Sequence, residues 1–205
     1  MTFPTLPIPT AFEPFDLKVD AWFEAHLRHR RLVDMVMYSA SAVGDHGIVW
    51  LGLALVQSRR RRKDWTAPLL RAVVGLGIES AVVNGPVKWV FRRTRPQHSG
   101  PRPLHLRTPR TSSFPSGHAT AAFFGAALLR DGDPWWPGYY ALAAVVAASR
   151  VHVKIHHASD VIGGVALGIL LGEMVRRHVP VAPFHSDAAR MTADADAEWS
   201  DSALR

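Results

Sequence analysis

The stretch SRVHVKIHHASDVIGGVALGILLGEMVRR, residues 149–177, sets two kinds of sequence side by side. Its first dozen residues gather Arg150, Lys154, three histidines and Asp160. From about 159 to 175 it is apolar, with Gly163, Gly164, Gly168 and Gly172 spaced for close packing of one helix on another. Arg176, Arg177 and His178 close the run, as basic residues close a membrane helix at the water interface. The reading is a membrane-spanning helix with titratable groups collected at its entrance.

Working outward, the same arrangement recurs. Apolar runs are expected to span at 32–56, 67–91, 114–129, 139–149 and 159–175. The third is short for a bilayer, roughly 24 Å at about 1.5 Å per residue. Asp45 and His46 in the first run and Glu79 in the second are costly in lipid unless they face the bundle interior. Glu79 reads first as a structural group pairing with Asn84 or a neighbouring helix. Arg59–Lys63 stops transfer after the first run, and Trp135, Trp136, Tyr139 and Tyr140 read as an interfacial aromatic belt.

Before the first run, Phe15, Leu17, Val19, Trp22, Phe23 and Leu27 alternate with charges at near-helical spacing. This is an amphipathic helix lying on the membrane interface, or a packed surface helix. Pro4, Pro7, Pro9 and Pro14 break the arm ahead of it. The expected division is an arm and interfacial helix over 1–31, a membrane domain over 32–178 and a disordered polar tail over 179–205. The fold class is all-α, a polytopic helical bundle of about five to six transmembrane helices with one N-terminal amphipathic helix.

Formal net charge is +7, with 24 Lys and Arg against 17 Asp and Glu. A basic chain suits anionic lipid, phosphate or nucleic acid. No nucleic-acid motif accompanies the charge, which leaves lipid and phosphate. There is no cysteine, so disulfide frameworks and Cys-based zinc sites are excluded. The mean hydropathy of +0.02 hides the apolar blocks behind polar ends.

Three patches carry chemistry: Lys88 with Arg95-Pro96, Pro115-Ser116-Gly117-His118, and Ser149-Arg150 with His156 and Asp160. Lys88, Arg95 and Arg150 are three cations for phosphate oxygens, the guanidinium groups suited to bidentate contact. Pro115 and Ser116 open a helix whose free N–H groups bind anions, Gly117 lets the backbone approach, and the Ser116 hydroxyl can add a hydrogen bond. His156 and Asp160 are spaced i, i+4 and can share one helix face, with the carboxylate fixing the imidazole tautomer.

These residues resemble the three signature motifs of the type 2 phosphatidic acid phosphatases, the lipid phosphate phosphatases. That superfamily shares its fold and anion site with the vanadium haloperoxidases. KWVFRRTRP (88–96), PSGH (115–118) and SRVHVKIHHASD (149–160) match every defining position in order. The resemblance covers roughly 69–175 and departs at Lys154, where many members carry a small residue. It implies a membrane enzyme of the cell envelope acting on a lipid phosphate, with His156 as nucleophile, Asp160 orienting it and His118 as acid and base. Membrane lipids are its surroundings, and no cofactor or metal is implied. His152 and His157 fill no family role and read as bystanders.

Polyprenyl diphosphate or a polyprenyl-linked sugar phosphate is the first expectation for substrate, with phosphatidate and phosphatidylglycerol phosphate as rivals. A vanadate-dependent haloperoxidase and a non-catalytic membrane binder remain as alternatives. Basic residues are nearly balanced on the two sides, so the positive-inside rule does not orient the chain. The resemblance places the site near the extracytoplasmic surface of the plasma membrane. The basic loop 92–113, with His98, Arg102, His105, Arg107 and Arg110, reads as a steering field or a solvated connector.

Overall fold

A glycine stripe on the last helix decides how this bundle closes. The computed structural model describes residues 6–7, 10–44, 47–60, 66–98, 106 and 111–181. Its helices are α1 (Glu13–His26), α2 (Arg31–Val43), α3 (Ile48–Arg60), α4 (Thr66–Val82), a π-helical turn (Val83–Val87), α5 (Lys88–Val90), α6 (Gly117–Leu129), α7 (Trp136–His152) and α8 (Ala158–His178). A two-residue parallel pairing of β1 (Leu6–Pro7) with β2 (Phe91–Arg92) ties the N-terminal arm to the segment after α5.

The innermost helix is α6, with nine of its thirteen residues buried. α8, α7, α4 and α3 surround it. α8 reaches it through glycine: a Cβ at Gly164 would stand 2.6 Å from the Ser116 carbonyl, and one at Gly172 would stand 2.7 Å from Ala127 Cβ. At Gly168 a Cβ would collide with the Thr120 carbonyl. Gly163, read from sequence as part of the same stripe, faces the Phe114 ring instead. Gly168→Ala is therefore expected to lower the thermal midpoint in detergent, by the equivalent of about 1–3 kcal/mol of overpacking. Gly77→Ala is the matched control. Nothing lies within 4 Å of its Cβ, so helix propensity favours alanine there.

Thr66–Val90 and Ala158–His178 are long and apolar enough to cross a bilayer, and α2 with α3, bent by 77°, add a third crossing if counted as one. The run 32–56 reads from sequence as one span. The chain instead bends between Gly44 and Gly47, where Gly47 has φ of +69°. Gly44 packs under Val146 and beside His118, so the bend carries the end of α2 into the bundle. α6 and α7 are shorter, at 13 and 17 residues. α6 has little lipid to face and need not match the full bilayer thickness. Leu70, Ile78, Ile162, Leu170 and Met174 on α4 and α8 turn outward and stay exposed.

One end of the bundle is held by ion pairs: Arg71–Asp131 at 2.7 Å, Arg176–Asp131 at 2.9 Å and Arg130–Glu173 at 2.7 Å. Tyr139 belongs to this framework rather than to an interfacial belt. It is buried, and its hydroxyl donates to Asp133 at 2.8 Å. Trp135 and Trp136 do remain exposed.

α1 packs across the opposite end. Val19 and Phe23 join the apolar cluster of α7 and α8, while Phe12, Phe15, Leu17 and Trp22 stay exposed. Arg28 caps the end of α7, donating to the carbonyls of Val151 and His152 at 2.9 Å each. Asp45, His46, Arg61–Lys63, residues 99–105 and 107–110 of the basic loop and the tail from 182 onward lie outside the described residues.

Candidate active site

The three sequence patches meet at the α1 end of the bundle. Alternating helix directions bring there the end of α7 with Arg150, the start of α8 with Asp160, the start of α6 with Gly117 and His118, and α5 with Lys88. The chain after β2 then runs extended and adds Arg93 and Arg95.

His156 lies in the turn between α7 and α8, fully enclosed. Its Nδ1 stands 2.7 Å from the Ser113 carbonyl, and its Nε2 stands 3.1 Å from Arg95 Nη1. A carbonyl can only accept and a guanidinium can only donate. The imidazole therefore carries its proton on Nδ1 and keeps a lone pair on Nε2. Burial first, then the charges of Arg150 and Arg95, depresses its pKa to about 3 against the pull of Asp160.

The sequence spacing suggested that His156 and Asp160 share a helix face. They do not, because α8 begins only at Ala158 after an extended His157. Asp160 Oδ2 is 3.8 Å from His156 Nδ1, too long for a hydrogen bond but close enough for charge to act. Ser113 bridges the gap. Its carbonyl accepts the hydrogen bond from the imidazole Nδ1–H, and its hydroxyl donates to Asp160 Oδ2.

Asp160 is itself held in place. The His157 amide donates to Oδ2 at 2.9 Å, and Arg93 Nη1 donates to Oδ1 at 2.6 Å. The other arm of Arg93 reaches Asp16 of α1 at 2.6 Å. Asp16 also accepts from the amide and hydroxyl of Ser159 at 2.8 and 2.7 Å. Sequence reasoning missed Ser113, Arg93 and Asp16. A signal for Arg93 existed: in an extended chain residues 93 and 95 point the same way. Asp16 has no local signal, being 144 positions from Asp160.

The cations arrive by different routes. Arg95 is aimed by three carbonyls, those of Ile155, Thr111 and Ser112, at 3.0, 3.2 and 3.1 Å. Lys88 Nζ donates to Asn84 Oδ1 at 2.9 Å. Arg150 donates to the Ser41 hydroxyl. A cavity of about 470 Å³ brings together Lys88, Gly117, His118, Arg150 and His156. A larger groove of about 970 Å³ shares Asn84, Lys88 and Thr111 with it and is lined by Arg95, Trp89 and Pro86.

Ser116 lines neither space. It is fully buried at the joint of α6 and α8, its amide donating to the Asp160 carbonyl at 3.0 Å. Its hydroxyl has no hydrogen-bond partner among the described residues. Gly117 sits where a Cβ would come 3.1 Å from Asn84 Oδ1 and 3.5 Å from Lys88 Nζ. Glycine thus keeps the start of α6 open to an anion.

His152 is a structural group, 2.7 Å from Asp34 and packed on Tyr38 and Phe23. Lys154 turns away toward α1, 3.3 Å from Glu24 and 3.6 Å from Asp20. Its φ of +53° is a left-handed backbone conformation that favours glycine. Glu79 does not pair with Asn84, which is taken by Lys88 and Ser80.

A family model described as the PAP2 superfamily matches residues 68–181, more than half of the chain. The chain belongs to the PAP2 superfamily. This PAP2 member is 38% identical over 138 residues to a decaprenylphosphoryl-5-phosphoribose phosphatase of Mycobacterium tuberculosis (strain ATCC 25618 / H37Rv), covering 66% of this chain and 74% of that one. It is 38% identical over 127 residues to an undecaprenyl-diphosphatase of Sulfolobus acidocaldarius, covering 58% of each. A crystal structure of a transmembrane PAP2 type phosphatidylglycerolphosphate phosphatase from Bacillus subtilis superposes with a TM-score of 0.63 at 24% identity, over 83% of this chain and 87% of that one. The motif resemblance is borne out, and the bundle is a transmembrane PAP2 fold.

Proposed function

We propose that the chain is an integral membrane phosphatase that hydrolyses a phosphomonoester or diphosphate of a lipid through a phosphohistidine on His156. The observation carrying this reading is the tautomer of His156. A neutral imidazole presents its Nε2 lone pair to a cavity walled by Lys88, Arg150 and the start of α6, with Arg95 on that same nitrogen.

Phosphoryl transfer needs position and charge stabilisation above all. The incoming phosphate takes the Arg95 donors and frees Nε2 for attack. Lys88, Arg95, Arg150 and the Gly117 backbone hold its three outer oxygens. The N–P bond forms as the bond from phosphorus to the leaving oxygen breaks, and His118, protonated once the bound phosphate dianion offsets the cations around it, gives its proton to that oxygen. Neutral His118 then takes a proton from water, water attacks phosphorus, the N–P bond breaks, and phosphate leaves with His156 restored. Asp160, through Ser113, supports the positive charge that His156 carries in between. Guanidinium and ammonium groups do here what a metal does elsewhere.

The substrates we assign are polyprenyl phosphates, either a diphosphate or a sugar phosphate, at the extracytoplasmic face of the plasma membrane. Relatives named for both kinds of substrate support the class. The test is phosphate release by purified protein in detergent with EDTA, using polyprenyl diphosphate, polyprenyl sugar phosphate, phosphatidate and phosphatidylglycerol phosphate. Release from a polyprenyl substrate that survives EDTA supports the reading. EDTA-sensitive release, or none from any lipid, overturns it.

A further inference from the structure

Helix α1 packs on the bundle with one face only. Its inner side carries Asp16, Val19 and Phe23, and the last two rest on the apolar cluster of Ala147, Val151, Ala158 and Val161. Those residues belong to the last turns of α7 and the first turn of α8. α8 is long and apolar enough to cross a bilayer, so its first turn marks the depth where a span meets the headgroups. α1 lies at that depth. Its apolar anchorage is two half-buried side chains, which is thin for a helix of 14 residues, a length that is marginal without outside contacts.

The outer side is a stripe of Phe15, Lys18, Trp22 and His26, spaced i, i+3, i+7 and i+11 so that they share one helix face, and all four are exposed. Trp22 stacks on His26 with ring centroids 5.1 Å apart. Aromatic rings beside cations at headgroup depth suit the boundary between lipid and water. The acids of α1 leave this stripe. Asp16 is buried on Arg93 and Ser159. Asp20 and Glu24 pair with Arg28 and Lys154. Glu13, two residues before Phe15, lies on the other side of the helix, as does Leu17, which lines a cavity of about 570 Å³ against His156. Lys18 stays in the stripe, and exposed Arg30 and Arg31 follow the helix, so the charge left on this side complements anionic headgroups.

We propose that the outer stripe of α1 docks on the anionic headgroup layer of the bilayer, and that this contact, by seating Asp16 on Arg93, raises the catalytic rate. The link is short. Asp16 is next to Phe15 on one rigid helix, Arg93 reaches Asp16 at 2.6 Å with one arm, and it reaches Asp160 at 2.6 Å with the other. Phe15 and Trp22 touch no substrate. They are positioning residues, acting through Asp16 and Arg93 on the carboxylate behind His156.

Two readouts separate the docking from its consequence, both on the full-length protein in bilayer discs of phosphatidylcholine with or without phosphatidylglycerol. Docking is read from tryptophan quenching by brominated lipid in the wild type and in Trp22→Phe. The Trp22 signal, the difference between the two proteins, should be quenched, and more strongly in discs with phosphatidylglycerol. The consequence is read as kcat and KM for p-nitrophenyl phosphate, a water-soluble ester, so that delivery of a lipid substrate does not enter. Phe15→Ser combined with Trp22→Ser should lower kcat by about fivefold or more in the anionic discs, with KM unchanged. In an Asp16→Asn background the same pair should cost almost nothing, because the link is already cut.

A Trp22 signal that brominated lipid leaves unquenched would overturn the docking. An unchanged kcat, a loss confined to KM, or an equal loss with and without Asp16→Asn would overturn the link to the catalytic carboxylate. The kinetic half rests on the phosphatase reading above. A wild type that turns over neither p-nitrophenyl phosphate nor any lipid would sink that reading, while the quenching would still decide the docking.

Discussion

His156→Ala is expected to lower phosphate release by about a thousandfold or more, with protein that folds and inserts as before. The size follows from the residue's place in a unit. Without the imidazole there is no acceptor for the phosphoryl group, and the anchored cations hold a phosphate that nothing attacks. His118→Ala should fail differently. It retains the nucleophile but lacks the acid and base, so brief incubation with a radiolabelled good-leaving-group phosphate should leave label on His156, stable to base and lost in acid. Label on His118→Ala and none on His156→Ala assigns the nucleophile. Label on His156→Ala would overturn the assignment.

The same residue has a pH signature. Its pKa falls from the ordinary 6.5 to about 3 on folding, first because it is buried. The unfolded chain therefore binds the proton between those values and the folded chain does not, so stability rises with pH across that window. His156 costs nothing above about 6.5 and destabilises the fold increasingly as pH falls toward 3. The thermal midpoint in detergent should drop on acidification, and His156→Gln should flatten part of that slope. An equal slope in both proteins would mean that His156 does not titrate this way.

The three motif patches were readable because they consist of fixed residue types at fixed short spacings. Hydropathy also gave the helices, but not the direction each one takes. The run 32–56 is mostly apolar on both sides of Asp45 and His46, yet α2 and α3 meet at 77°, and Ser41 at the end of α2 reaches Arg150. Periodicity cannot record such a turn, because both halves are apolar. Tyr139 looked interfacial beside two exposed tryptophans, and only the fold reveals Asp133 beneath it. The expected His156–Asp160 contact had the right partners and the wrong path. The spacing fits a helix, but the helix begins two residues late and Ser113 from another segment fills the interval.

The least legible part of the site carries the second large effect. Arg93→Ala should reduce kcat by about a hundredfold while KM changes much less, and should also lower the thermal midpoint. Arg93 lies between two carboxylates with almost no solvent, Asp160 at 2.6 Å on one arm and Asp16 at 2.6 Å on the other. Removing one partner of a buried ion pair typically costs about 3–5 kcal/mol, because the remaining charge is left uncompensated. Here two charges are left, and Asp160 can relieve the strain by taking a proton. A neutral Asp160 no longer supports the imidazolium side of the reaction, which is a loss in kcat. The cations proposed to grip the substrate, Lys88, Arg95 and Arg150, are untouched, so KM has little reason to move. Arg93→Lys should recover only part of the rate, since a single ammonium cannot present two arms to two carboxylates. Asp16→Asn removes the outer charge alone and should cost about tenfold, although Asp16 is on α1 and contacts no substrate. A folded Arg93→Ala protein with a kcat within about threefold of wild type would show that Asp160 needs no such support. A graded loss from Asp16→Asn to Arg93→Ala would show instead that the amphipathic helix, by holding Asp16 against Arg93, is part of what keeps the catalytic carboxylate charged.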